Sequence, residues 1–103
     1  MERIEKLKEF LQTSPDDNFI KHALALEYIK LGDDIKGKEF FENILTKNPG
    51  YVGSYYHLAK LLERHGETEK AIETYEKGME EAKKINDMHA FGELRSAYEE
   101  LTF

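Results

Sequence analysis

Four histidines and a large supply of carboxylates are the side chains here that could do chemistry. His22, His57, His65 and His89 would hold a metal ion if three of them converged. No His-x3-His pair occurs, and there is no cysteine to supply a thiolate ligand or a nucleophile. His89 and Glu93 are one helical turn apart, a spacing that arises by chance in any charged helix. The carboxylates fall in runs such as Glu80-Glu81-Ala82-Lys83-Lys84 and in i,i+4 sets such as Glu69, Glu73 and Lys77. Solvated helix faces read this way. With no glycine-rich phosphate loop and no nucleophile elbow, the sequence points to no enzyme, no metal and no cofactor.

The totals narrow the partners. Among 103 residues the net charge is −6, which argues against nucleic acid, where Lys and Arg must neutralise phosphates. No stretch approaches the run of about 18 apolar residues that a membrane span needs. Met1-Glu2-Arg3-Ile4-Glu5-Lys6 lacks the apolar core of a signal peptide. The expectation is one cytoplasmic domain, residues 1–103.

Positioning elements follow from periodicity. No segment alternates with period two, and six segments carry apolar residues at helical spacing. They run from about Glu2 to Gln12, Pro15 to Leu31, Asp34 to Lys47, Tyr51 to Gly66, Glu67 to Lys84 and Asp87 to Leu101. Ser14-Pro15-Asp16-Asp17 reads as the start of the second, with Ser14 as cap and Pro15 in the first helical position. Gly32 and Gly66 end helices, being residues that take a left-handed conformation at no steric cost. Asn48-Pro49-Gly50 is a turn. Gly92 falls inside the last helix, where it costs about 1 kcal/mol relative to Ala.

Part of the chain is written twice, 34 residues apart. Leu24-Ala25 returns as Leu58-Ala59, Gly32 as Gly66, Lys36 as Lys70, Glu39 as Glu73 and Glu42 as Glu76. Gly37 returns as Ala71 and Phe41 as Tyr75. A fixed period of this length marks stacked units, each unable to bury its apolar face alone. The copies, Leu24-Ala25-x2-Tyr28 with Gly37-x3-Phe41 and Tyr55-x2-Leu58-Ala59-x2-Leu62 with Ala71-x3-Tyr75, resemble the tetratricopeptide repeat, a helix-turn-helix unit. Lys21 departs from that pattern where an aromatic is expected, Ile44 where a small residue is preferred, and Lys83 where the closing proline would be. The layout looks like the small free-standing bacterial proteins of the family. It implies an all-α solenoid of antiparallel helix pairs. A flanking helix at 1–13 would precede repeats at 16–49 and 51–84, and a capping helix at 87–102 would follow.

The same resemblance implies a function and a place for it. Solenoids of this family bind peptides or helices of partner proteins in a concave groove lined by the first helix of each pair. Carried onto this chain, the lining is Phe19, His22, Leu26 and Ile29 from the first repeat, with Tyr56, Lys60, Glu63 and Arg64 from the second. Leu26 and Ile29 stand out as apolar residues off the Leu24, Ala25, Tyr28 packing face. The family's carboxylate clamp is not matched, since its places hold His22, Leu26 and His57. A second reading gives the surface to self-association, as a structural homodimer or an assembly subunit.

Overall fold

A computed structural model describes residues 2–103 of the chain, so Met1, the first residue of the expected flanking helix, lies outside the described residues. Six helices follow one another: α1 Glu2–Thr13, α2 Asn18–Lys30, α3 Asp34–Lys47, α4 Gly53–Arg64, α5 Thr68–Lys84 and α6 Met88–Thr102. No strand occurs among the described residues. The fold class is the expected all-α one. The helices fall into two compact units, residues 1–47 and 48–103.

In the first unit, α1 lays Ile4 and Leu7 against Leu24 and Tyr28 of α2, with Leu11, Ile20, Ala23 and Phe40 at the edge of this cluster. The α2–α3 pair buries Ala25, Phe41 and Ile44 completely. Gly37 sets the spacing, because a Cβ there would lie 2.6 Å from Ile29 Cγ1 and 3.3 Å from the Ala25 carbonyl oxygen. Ile29 therefore belongs to the packing between α2 and α3, not off it as its sequence position suggested. The start of α2 also differs from expectation. Asp17 is the cap, its side chain accepting from the Ile20 N–H at 3.1 Å. The Ser14 N–H instead closes α1 onto Phe10, and the Ser14 carbonyl accepts from Asp17, so 14–17 form a separate turn.

The second unit opens on the expected turn, tied down by the Tyr55 hydroxyl donating to the Pro49 carbonyl at 2.6 Å. α5 packs against both α4 and α6 around Gly78, where a Cβ would meet Tyr55 Cβ at 2.7 Å and Leu94 Cδ1 at 3.0 Å. Ala59, Ala71, Tyr75 and Ala82 are fully buried. Burying side chains of this size contributes on the order of 1.5–3 kcal/mol each for the larger ones.

Three helices end alike. Gly32, Gly66 and Asn86 all have positive φ, at 85°, 78° and 58°. After each, the next N–H reaches back five residues along the chain: Asp33 to Tyr28, Glu67 to Leu62 and Asp87 to Ala82. This is the Schellman ending, which satisfies otherwise orphaned carbonyls. Asn86 is tolerated there because asparagine enters the left-handed region more readily than other L-residues.

Candidate functional site

An open groove of about 580 Å³ runs between α4 and α6 in the second unit. Helical spacing builds both walls. Tyr56 and Lys60, one turn apart, line it from α4. His89, Gly92, Glu93, Ser96 and Glu100 line it from α6, recurring every three or four residues along one face. The opposite face of α6, with Leu94 buried, is held on α5.

The groove mixes an aromatic floor with charges of both signs. Lys60 Nζ lies 5.7 Å from the centre of the Tyr56 ring, within cation–π range, and 3.6 Å from the Glu63 carboxylate. His57 meets the same ring edge-on at 5.8 Å. Burial lowers the His57 imidazole below its ordinary value, opposed by the nearby Glu93 charge. On the α6 wall, His89 Nε2 is 3.7 Å from Glu93. Gly92 is the unusual member. A Cβ at Gly92 would have nothing within 4 Å, so the chain itself makes no close backbone approach that would account for this glycine.

The residues singled out from the sequence take different roles. Tyr56 and Lys60 line the groove directly. Glu63 is turned to an internal task as well, its carboxylate accepting a short hydrogen bond from the buried Tyr75 hydroxyl. Burial and that carboxylate push the Tyr75 phenol well above its ordinary range. In the first unit Phe19 is exposed, His22 packs edge-on against Phe41 at 5.3 Å, and Leu26 and Ile29 are half-buried. The α6 contributions, His89, Gly92, Glu93 and Ser96, were not expected, because α6 was assigned to sealing the end. The signal for them was present: Phe91-x2-Leu94-x3-Tyr98 has the spacing of Tyr55-x2-Leu58-x3-Leu62. α6 thus carries the apolar spacing of a repeat's first helix, and its other face lines the groove.

Elsewhere in this unit, Met79, Phe91, Tyr98 and Phe103 wall a groove of about 440 Å³ between α5 and α6, with Lys83 Nζ 5.2 Å from the Phe91 ring centre. Among the described residues no group of three or more His, Asp or Glu is arranged to hold a metal ion. No described helix is long and apolar enough to cross a membrane.

Comparison with known proteins agrees with this architecture. Residues 40–73 match the tetratricopeptide repeat family. A tetratricopeptide repeat domain protein from Salinibacter ruber is 38% identical, with a TM-score of 0.81 over 84% of this chain and 88% of that one. The interferon-induced protein with tetratricopeptide repeats 3 of Mus musculus is 21% identical over 98 residues, 95% of this chain and 24% of that protein. The chain spans about a quarter or less of the length of the curated relatives it matches. The TPR2B domain of yeast Sti1, solved as a pHsp70 complex, shares the fold at 18% identity, with a TM-score of 0.87 over 96% of this chain and 79% of that one.

Proposed function

From the premise that the chain belongs to the tetratricopeptide repeat family, whose fold is a protein–protein interaction module, we propose that it is a non-catalytic binding module. It takes a peptide or helix of a partner protein into the α4–α6 groove. The observation that carries this reading is Gly92. A glycine in mid-helix costs about 1 kcal/mol relative to Ala. Here no packing inside the chain requires it, yet it lies on the groove wall opposite Tyr56 and Lys60. Its missing side chain leaves room for something that is not part of the chain. The yeast Sti1 domain in its pHsp70 complex supports the general mode. Phe19 and Leu26 on α2 are proposed as the corresponding partner contacts of the first unit.

Gly92 also provides the test. Gly92→Leu fills the groove while improving helix propensity, so the variant should melt at the same temperature as the wild type or above it. Partners captured by the wild-type chain should be lost with Gly92→Leu and weakened with Tyr56→Ala. Retention of the same partners by a folded Gly92→Leu protein would refute the groove assignment. Self-association is the second reading, favoured by the exposed Phe19 and Ile35 of the first unit. Light scattering decides it: a 12.0 kDa species at high micromolar concentration excludes the homodimer.

A further inference from the structure

Four residues of α6 line the α5–α6 groove at a constant spacing of four: Phe91, Arg95, Glu99 and Phe103. Residues so spaced form one ridge on a helix surface, here about 18 Å long. The ridge reads apolar, positive, negative, apolar. Turned end for end against itself, it sets apolar residues on apolar ones and each charge on its opposite. Phe103 is 95% exposed, although its N–H is bonded to the Glu99 carbonyl at 2.9 Å, so a large ring is left in water at an ordered helix end. Arg95 and Glu99 bridge at 3.0 Å, with side chains 62% and 42% exposed, and such a pair adds little to the stability of the fold. Across the groove α5 supplies Glu80 and Lys83. The charges of the groove therefore cancel, in a chain whose net charge is −6.

We propose that this face docks a second copy of the chain, with α6 antiparallel to its counterpart across a two-fold axis. Phe91 of one copy then meets Phe103 of the other, and Arg95 meets Glu99, each contact occurring twice. Charge selects the direction and the register. Parallel pairing would set Arg95 on Arg95 and Glu99 on Glu99. Sliding the antiparallel pair by one turn would set one of these charges on its own copy and the other on a phenylalanine ring. Ridges of four-residue spacing laid into one another give the commonest class of helix packing. The contact uses the same patch on both copies, so it closes as a dimer and does not extend into a filament. The neutral groove also spares this approach the mutual repulsion of two acidic chains. None of Tyr56, Lys60 or Gly92 takes part, so the inference is independent of the α4–α6 groove. It also differs from self-association through Phe19 and Ile35 of the first unit.

Sedimentation velocity of the intact chain, from low to high micromolar concentration at physiological ionic strength, reads the association. The mass should rise from 12.0 kDa towards twice that value, with a micromolar dissociation constant. Arg95→Glu and Glu99→Arg each set like charges across the axis at an exposed position, and each should weaken the dimer about tenfold or more. An equimolar mixture of the two variants should recover dimerisation, because every pair across the axis is again of opposite sign. Phe103→Ser, at a fully solvated ring that the fold does not use, should also weaken it about tenfold or more. Phe19→Ser should change nothing. A mass fixed at 12.0 kDa at high micromolar concentration overturns the proposal. So does a dimer indifferent to both charge reversals and to Phe103→Ser, or a mixture that associates no better than its components. Loss of the dimer with Phe19→Ser but not with Phe103→Ser moves the interface to the first unit and equally overturns it.

Discussion

Lys21 and Tyr55 stand 34 residues apart at the same place in two helix pairs, and both are buried. Around them the pairs are alike: Leu24 and Leu58, Ala25 and Ala59, Phe41 and Tyr75 are all removed from solvent. The difference lies in what finishes the place. In the second unit a phenol packs on Gly78 and gives its hydroxyl to the Pro49 carbonyl, so nothing is left over. In the first unit an ammonium has one neutral partner and a pocket beside it. The same position is closed by packing in one copy and borders an open pocket in the other. Repetition of the framework therefore says little about the sites built on it.

The comparison can be broken where the two copies should behave alike. Leu24→Ala and Leu58→Ala should each cost about 2–5 kcal/mol, seen as a large fall in melting temperature. A chain holding its melting point within a degree or two after Leu58→Ala would contradict the repeat register. Next come the glycines that set helix spacing. At Gly78 a Cβ would strike Tyr55 Cβ and Cγ, which are close to the backbone and cannot swing away. At Gly37 the obstacle is mainly the Ile29 side chain, which can rotate. Gly78→Ala should therefore destabilise by about 1–3 kcal/mol, less the helix-propensity gain of about 1, and Gly37→Ala by less. Denaturant unfolding of the two variants side by side measures the order.

The smallest effect is confined to one copy and to alkaline pH. Burial, with Glu81 and Glu80 nearby, pushes the Tyr55 hydroxyl from 10.0 up to about 12. The unfolded chain loses this proton before the folded one does. The stability it contributes is complete below the unfolded value and is lost as pH rises through the folded value. Stability should therefore decline over that interval, and more shallowly in Tyr55→Phe. Urea midpoints measured across the alkaline range, with phenolate absorbance alongside, provide the check.

Much of this fold is legible in the sequence, because Leu24, Leu58, Gly32 and Gly66 each satisfy a local rule that the tertiary structure then reuses. The start of α2 was not, since Ser14 and Asp17 are both good caps and only the turn between α1 and α2 decides for Asp17. Half of the groove was legible through Tyr56 and Lys60. The α6 half was hidden by its offset, since Phe91 follows Tyr55 by a spacing two residues longer than the repeat. The burial of Lys21 could not be read at all, because an isolated lysine on a charged helix is ordinarily solvated.

The three left-handed helix endings also bear on how quickly the chain organises itself. Each closes within a few residues, so joining α2 to α3, α4 to α5 and α5 to α6 requires almost no loop ordering. Packing is then mostly between neighbours along the chain, the regime in which small domains fold in about microseconds to milliseconds. Apolar stripes on these helices are covered soon after they form, which shortens the interval in which a nascent chain is open to aggregation.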